Sequence, residues 1–195
     1  MRPKILDTVE SLGFAVFEDG DWNLNIIGIR KKTGSMPNKF DDELAVVYKA
    51  GGIWQEERFR CTCDPGFYHM KHPSRVAGVA IMVAPQQARS KYIIRKHNGQ
   101  YPALCLDRSK TVRVRRASNP AQVLDRGGSE HPGYGINIHR ASLSGNSTQV
   151  DRWSAGCTVI ADGSPGGDFD RFMELCRKQV SERGWERFTY TLISL

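Results

Sequence analysis

Short apolar runs separated by Gly, Pro and Asp turns make up most of this chain, and the pattern predicts a mainly β fold. Alternating or continuous apolar character predicts strands at residues 14–17, 24–29, 44–48, 53–60, 78–83, 92–99, 101–106, 111–115, 136–139, 158–160 and 188–195. Val112 and Val114 alternate with arginines, which indicates one buried face of that strand. Phe67-Tyr68 is expected to be extended, and Pro85-Gln86-Gln87 to end the strand at 78–83.

Two segments instead have the apolar spacing of helices. Residues 3–13 place Ile5, Leu6, Val9 and Leu12 on one side, and residues 168–183 carry an apolar stripe formed by Phe169, Phe172, Met173, Cys176 and Val180. The sequence therefore predicts a mainly β (α+β) sheet or sandwich with a peripheral N-terminal helix and one late helix. We expect a single domain over 1–195, in which residues 1–58 add strands to the same sheet. The polar segment 117–134 predicts a long loop able to cover a cleft.

Composition and charge narrow the class of protein. The 195 residues are 39% hydrophobic and 25% charged, as in ordinary globular proteins, and no apolar run approaches the ~18 residues of a membrane span. The net charge of +7 suits an anionic partner, but the basic residues are spread out and no nucleic-acid motif is present. Five cysteines, an odd number, argue against a complete disulfide framework. The first residues lack the apolar stretch of a secretory signal, so we expect synthesis in the cytoplasm.

One stretch, residues 135–160, combines two short predicted strands with residues suited to covalent catalysis. The first strand ends in His139, and Cys157 precedes the second after a turn of small residues. A neighbouring imidazole can take the proton of a thiol and so create the thiolate nucleophile. Gly156 would let the backbone approach a substrate closely, and N–H groups at such a turn can stabilise an oxyanion. The same residue types also suit a cysteine and a histidine buried in a β core, so both interpretations stay open.

This stretch resembles the signature of the L,D-transpeptidase (YkuD-type) family, in which a histidine is followed, after a spacer of similar length, by Ser/Thr-His-Gly-Cys. Here residues 140–153 separate His139 from Ser154-Ala155-Gly156-Cys157, which matches the signature at its serine, glycine and cysteine. Ala155 replaces the second histidine of the motif, and Val159 replaces an arginine found in many members. Such variants, and the stretch around His97, are similar to bacteriophage or prophage members of the family.

The resemblance implies a YkuD-like β fold and a cysteine enzyme that acts on peptidoglycan stem peptides, either an L,D-carboxypeptidase or endopeptidase or an L,D-transpeptidase. It implies that Cys157 is the nucleophile, that His139 is its base, and that a backbone carbonyl orients the histidine, with no metal or organic cofactor. The expected partners are peptidoglycan and other virion proteins, at the cell wall after lysis or within a virion. The candidate catalytic residues are Cys157, His139, Ser154 and Gly156, and the candidate substrate-binding residues are Asn137, Arg140, Trp153 and His97.

Two other interpretations follow from the residues. The chain could be a non-catalytic virion structural or cell-wall-binding module that retains the histidine and the cysteine. Cys61, Cys63, His69 and His72 could instead hold a structural zinc ion, since two cysteines and two histidines suit tetrahedral coordination. Against zinc, the C-x-C spacing is unusual, and a Pro-Gly turn separates the two pairs. A zinc protein would bind metal and lose its fold with a chelator.

Overall fold

The computed structural model describes residues 1–32, 38–117 and 128–195. These residues form three helices, α1 (Lys4–Ser11), α2 (Phe67–Lys71) and α3 (Asp168–Arg183). They also form eleven strands: β1 (Asn25–Arg30), β2 (Asp42–Ala50), β3 (Ile53–Thr62), β4 (Val79–Met82), β5 (Gln86–His97), β6 (Tyr101–Leu106), β7 (Val112–Ala117), β8 (His131–Gly133), β9 (Ile138–Arg140), β10 (Thr158–Ile160) and β11 (Arg187–Ser194). With 41% strand and 16% helix, the prediction of a mainly β fold is confirmed.

The main sheet closes on itself instead of forming an open sheet or a sandwich. Among the described residues, eight strands form a barrel in the order β1-β11-β5-β6-β9-β10-β3-β2, and β4, β7 and β8 form a separate three-stranded sheet. Closure occurs because β1 pairs in antiparallel fashion with β2 and in parallel with the last strand, β11. Within the described part of the chain, this arrangement leaves the main sheet without an unpaired edge. The first two barrel strands come from the segment 1–58.

Large side chains fill the barrel interior, and one of them, Tyr190, contacts the start of β10. Its ring passes over Gly28, where any Cβ would collide with the tyrosine hydroxyl. The Tyr190 hydroxyl lies 2.8 Å from Oγ1 of Thr158 at the start of β10. Because side chains alternate across a strand, this contact anchors β10 from inside and leaves Cys157 on the outer face.

Both predicted helices are present and pack as their apolar stripes indicate. α3 has the predicted bounds, and its Phe172 meets Phe59 of β3 edge to face with ring centres 6.1 Å apart. It ends at Gly184, which has the left-handed backbone conformation of a helix C-terminus. α1 is shorter than predicted, and it buries Ile5, Leu6 and Val9 against the outside of β1, β2 and β11. Leu12 lies beyond the helix and is exposed, contrary to the prediction.

Residues 14–17 were predicted to be a strand, which is wrong. The backbone of this segment bonds to side-chain amides instead of to another strand. Gln87 accepts from the Ala15 N–H and donates to its carbonyl, and Asn25 does the same for Phe17. Two amide side chains thus provide the hydrogen bonds that a neighbouring strand would otherwise supply.

Two further boundaries differ from the sequence prediction. Phe67 and Tyr68 begin α2 instead of an extended segment, and the Phe67 N–H donates to the side-chain oxygen of Asn38 at 3.0 Å. Gln86 begins β5 instead of ending the preceding strand. Its side-chain amide bonds to both backbone groups of Arg113, which joins the barrel to the smaller sheet.

The predicted loop 117–134 is only partly loop. Ala117 still belongs to β7, and residues 131–133 form β8, which pairs with β7 at Val112–Gly133. Residues 118–127, and with them the predicted cover of a cleft, lie outside the described residues, as do residues 33–37 of the loop after β1.

Val112 and Val114 are buried as their alternation indicates. Within the described ranges, no helix combines the length and the apolar character that crossing a membrane requires.

Candidate active site around Cys157

β9 and β10 bring the two ends of the 135–160 stretch side by side. They pair in parallel with Thr158 beside Ile138 and Val159 beside His139, so Cys157 lies next to Asn137. Ile138 and Thr158 point into the barrel, and alternation therefore places Asn137, His139 and Cys157 together on the outer face. The short parallel pair thus positions a thiol and an imidazole that are 18 residues apart in sequence.

A cavity of about 470 Å³ opens on this face of the barrel. Six of the candidate residues line it, namely Cys157, His139, Asn137, Arg140, Trp153 and His97. Further lining residues are His69, Asn98, Gln100, Tyr101, Gly135, Ala141, Arg152 and Ala155. The remaining two candidates, Ser154 and Gly156, lie in the turn behind the thiol.

The backbone carbonyl of Arg140 orients His139. Nδ1 of His139 is 2.9 Å from that oxygen, and since a carbonyl can only accept, Nδ1 carries the proton. The hydroxyl of Tyr101 lies 3.5 Å from the same carbonyl and 3.5 Å from Nδ1. In the neutral imidazole Nε2 therefore keeps its lone pair, as a general base requires.

Burial keeps this imidazole neutral. It lowers the pKa of His139 to about 3, and His97, when protonated, and the Arg140 guanidinium act in the same direction. The hydrogen bond to the Arg140 carbonyl opposes this shift, because it favours the protonated ring. His139 is thus available as a proton acceptor at neutral pH, and in the free protein it does not hold the proton of the thiol.

His97 lies directly against His139. The two rings stack with centres 4.1 Å apart and planes at 22°. The Asn137 side chain orients His97. The Asn137 Oδ1 accepts the Leu106 N–H at 3.1 Å, and the Asn137 Nδ2 donates to Nδ1 of His97 at 3.1 Å. Because Nδ1 must accept in this arrangement, His97 is also neutral, which agrees with the lowering of its pKa by burial.

The thiol of Cys157 is nearly covered, with 9% of the residue exposed. Its Sγ lies 3.3 Å from the N–H of Asn137, which donates to it, and 3.6 Å from the carbonyl of Gly135. Burial raises the pKa of Cys157 to about 11, and the N–H of Asn137 offsets part of this rise because it stabilises the thiolate. The resting pair is therefore a neutral thiol beside a neutral imidazole.

Ser154 and Gly156 shape the turn that carries Cys157. Oγ of Ser154 donates to the Cys157 carbonyl at 2.8 Å and accepts the Gly156 N–H at 3.1 Å. Gly156 has a φ of +116°, and a Cβ there would collide with the Ala80 carbonyl oxygen of β4. The close approach that this glycine permits in the structure is to β4, and its expected approach to a substrate stays a prediction. Both residues act as positioning residues.

Arg140 and Trp153 differ in how closely they are held. The Arg140 guanidinium lies over the ring of Tyr101, 3.9 Å from its centre, which keeps the cation at the edge of the cavity. Trp153 is 42% exposed and presents an apolar surface at the cavity mouth. Arg140 contributes twice, through its side chain at the cavity edge and through the carbonyl that orients His139.

The residues of the alternative zinc site are not assembled. Cys61 and Cys63 are buried in the barrel core, where Sγ of Cys63 lies 3.7 Å from the Tyr190 hydroxyl. His69 and His72 flank or belong to α2, and Nε2 of His69 donates to the Arg152 carbonyl at 3.1 Å. Within residues 1–32, 38–117 and 128–195, no group of three or more His, Cys, Asp or Glu side chains could hold a metal ion.

Three residues for which no role in this cavity was predicted also line it, namely Tyr101, His69 and Arg152. Tyr101 lay in the phage-like stretch with His97, and that pattern was the one available signal for it. His69 was considered only as a zinc ligand. Arg152 precedes Trp153 in a turn, and nothing in its sequence neighbourhood distinguishes it from an exposed basic residue.

Comparison with known proteins adds no assignment: no protein-family model matches this chain, and neither does any curated protein or any solved structure.

Proposed function

We propose that this chain is a cysteine-dependent acyl-transfer enzyme that acts on the stem peptides of peptidoglycan. The observation that carries the proposal is the shared cavity, which is lined by both the thiol of Cys157 and the imidazole of His139, whose Nδ1 carries the proton so that Nε2 keeps its lone pair. The substrate class and a YkuD-like variety of the β fold rest on the resemblance to the L,D-transpeptidases. A net charge of +7 favours an anionic wall polymer as the partner.

In the proposed cycle, Sγ of Cys157 attacks an amide carbonyl carbon while its proton passes to Nε2 of His139. The tetrahedral intermediate then collapses, the C–N bond breaks, and the leaving amine takes the proton from His139. Water or an amine attacks the resulting thioester, and His139 returns the new proton to the departing sulfur. Water makes the enzyme an L,D-carboxypeptidase or endopeptidase, whereas an amine makes it an L,D-transpeptidase. The cycle needs no metal or organic cofactor.

The two pKa values determine how the first proton moves. Because the pKa of Cys157 is about 11 and the pKa of His139 is about 3, a thiolate–imidazolium pair is not populated in the free protein. Proton transfer therefore accompanies the attack on the carbonyl, as in general base catalysis. Since the Gly156 N–H already donates to Ser154, other N–H groups of the turn would stabilise the oxyanion.

Digestion of purified peptidoglycan tests the proposal. The wild type should release muropeptides whose masses identify the bond and the acceptor, and Cys157→Ala and His139→Ala should release none. Cys105→Ala is the matched control, because Cys105 lies in the core and does not line the cavity. The proposed enzymatic activity would be refuted if neither the wild type nor the Cys157→Ala variant released muropeptides from peptidoglycan of the diaminopimelate type or of the lysine type.

A non-catalytic virion structural or wall-binding module is the second candidate, and the covered, high-pKa thiol of Cys157 favours it. This candidate predicts that the protein sediments with insoluble peptidoglycan and releases nothing. The Cys157→Ala variant should then sediment to the same extent as the wild type. Release of muropeptides by the wild type alone would refute it.

The likeness to phage proteins leads us to propose that the protein is made in the cytoplasm and reaches the wall after lysis or within a virion. Other virion proteins would be its partners in the second case. Mass spectrometry of purified virions, compared with the lysate from which they came, tests which route applies.

A further inference from the structure

A second cavity, of about 610 Å³, adjoins the Cys157 cavity. It is lined by Phe67, Tyr68, Lys71, His72, Asp151, Arg152 and Trp153. Arg152 and Trp153 line both cavities, so the two share a wall. The second cavity is therefore the neighbouring space for those parts of a ligand that lie beyond the Cys157 cavity on the side of Trp153.

The two walls of the second cavity are tied together by hydrogen bonds. The Asn38 side chain donates to the Asp151 carboxylate at 2.7 Å and accepts the N–H groups of Phe67, at 3.0 Å, and of Asp151, at 2.6 Å. His69 adds a bond from its ring to the Arg152 carbonyl at 3.1 Å. The first turn of α2 and the turn at 151–153 are thus held at a fixed separation before any ligand binds.

The chemistry of the lining favours an anionic ligand with apolar parts. Lys71, His72 and Arg152 supply basic groups, and the Arg152 guanidinium lies over the ring of Tyr68, 4.0 Å from its centre. Among the described residues that line this cavity, Asp151 is the acidic one, and its carboxylate already accepts a hydrogen bond from the Asn38 amide. The aromatic rings provide apolar surface, and the guanidinium can bind a carboxylate in a bidentate manner.

We propose that this second cavity is a subsite for a carboxylate-bearing segment of the same peptide whose amide is attacked at Cys157. The inference deepens the proposed function and rests on it for the identity of the peptide. Arg152 and Lys71 bind the carboxylate, and Tyr68 and Trp153 contact the neighbouring carbon chain. The subsite makes this chain selective for stem peptides with a free side carboxylate over those in which it is a carboxamide.

Binding to the Cys157→Ala variant tests the subsite without requiring turnover. The probes are two synthetic peptides, L-Ala-γ-D-Glu-L-Lys-D-Ala and its D-isoglutamine analogue, which differ by one carboxylate. Calorimetry should show the carboxylate peptide binding about five- to tenfold more tightly, as expected for a partly exposed charge-assisted contact. Adding Arg152→Gln or Lys71→Gln should reduce this ratio toward one.

Arg58→Gln is the matched control, because Arg58 is an exposed arginine on β3 that lines neither cavity. It should leave the ratio unchanged, and Arg152→Lys, which keeps the charge, should retain part of it even if Arg152→Gln folds poorly. Equal affinity for the two peptides, no binding of either, or a ratio that survives both glutamine variants would overturn the subsite. If the carboxylate peptide still binds more tightly than its analogue but the wild type digests no peptidoglycan, the proposed enzymatic activity is refuted and the carboxylate subsite is not.

Discussion

The imidazole of His97 stacks on that of His139, and both rings are neutral, His97 because its Nδ1 accepts from Asn137 and His139 because burial lowers its pKa. Asn137 connects the two, because it precedes His139 on the same face of the chain and donates to His97. The proton-accepting group of the candidate site is therefore positioned from two sides, by the Arg140 carbonyl and by a second histidine. This relationship leads to the first prediction.

Replacing His97 with glutamine should raise the pKa of His139. The His97 ring contributes to the burial of His139 and, when charged, repels a proton on it, so loss of the ring weakens the first cause of the low pKa and removes the second. The charge of Arg140, which also lowers the pKa of His139, is unaffected by this substitution. An NMR titration of the His139 ring should show a rise from about 3 by up to roughly one unit.

A base must be neutral to act, so a higher His139 pKa also moves the acidic limb of kcat/KM to higher pH. Tyr101→Phe, which keeps the aromatic ring, is the control and should move this limb less. An unchanged pKa, or one that falls further, would mean that His97 only fills space.

Alkylation of Cys157 should accelerate steadily with pH. Since the pKa of the thiol is raised to about 11, the thiolate fraction grows about tenfold for each pH unit between 7 and 9. The measurement is the rate of iodoacetamide modification of the wild type, with Cys157→Ala giving the background of the four other cysteines, all of which are buried. A rate that reaches a plateau near neutral pH would reveal a preformed thiolate–imidazolium pair and contradict the neutral pair.

Substituting Gly156 with alanine should destabilise the protein and disturb the turn that carries Cys157. The φ of +116° is unfavourable for alanine, and the new Cβ would collide with the Ala80 carbonyl. We expect a loss of about 2–4 kcal/mol in the free energy of unfolding, from backbone strain and displacement together. Urea unfolding gives this value.

The matched control is Gly166→Ala, at a φ of +75° with open space around the glycine, which should cost only about 1 kcal/mol. If the free energy of unfolding falls by the same amount in the two variants, the close approach of Gly156 to β4 does not add to the cost of the substitution.

Replacing Arg30 with methionine should be strongly destabilising. The buried guanidinium donates to the carbonyls of Met82 and Cys63, each at 2.8 Å, and pairs with Asp64 at 3.1 Å. Its loss leaves these groups buried without their cation, which typically costs about 3–5 kcal/mol. Arg58→Met, which breaks surface ion pairs with Glu43 and Glu56, should cost less than about 1 kcal/mol. Similar losses in the two urea unfolding curves would contradict this account.

Local patterns of the chain were enough to predict much of the fold. The apolar stripe of α3 and its Gly184 end depend on spacing within one helix, and the alternation of Val112 and Val114 depends on one strand. The proximity of His139 and Cys157 was also suggested by sequence, because each is next to a short strand in one continuous stretch. Such features need only neighbouring residues, and the sequence contains them directly.

The rest was decided by contacts between distant segments. Residues 14–17 have the composition of a strand, but the amides of Asn25 and Gln87 satisfy their backbone instead, and no local pattern shows that partner. Closure of the barrel depends in the same way on β1 meeting β11 at the other end of the chain.

In the candidate site, the sequence by itself was enough to propose the two side chains for the chemistry, a thiol and an imidazole next to adjacent strands. Only the tertiary structure decided their protonation and surroundings. Burial determines the pKa values of Cys157 and His139, and the stacking of His97 and the second cavity at Arg152 come from segments far apart in sequence. Desolvation and packing are properties of the whole fold, so they cannot be inferred from the order of residues in one stretch.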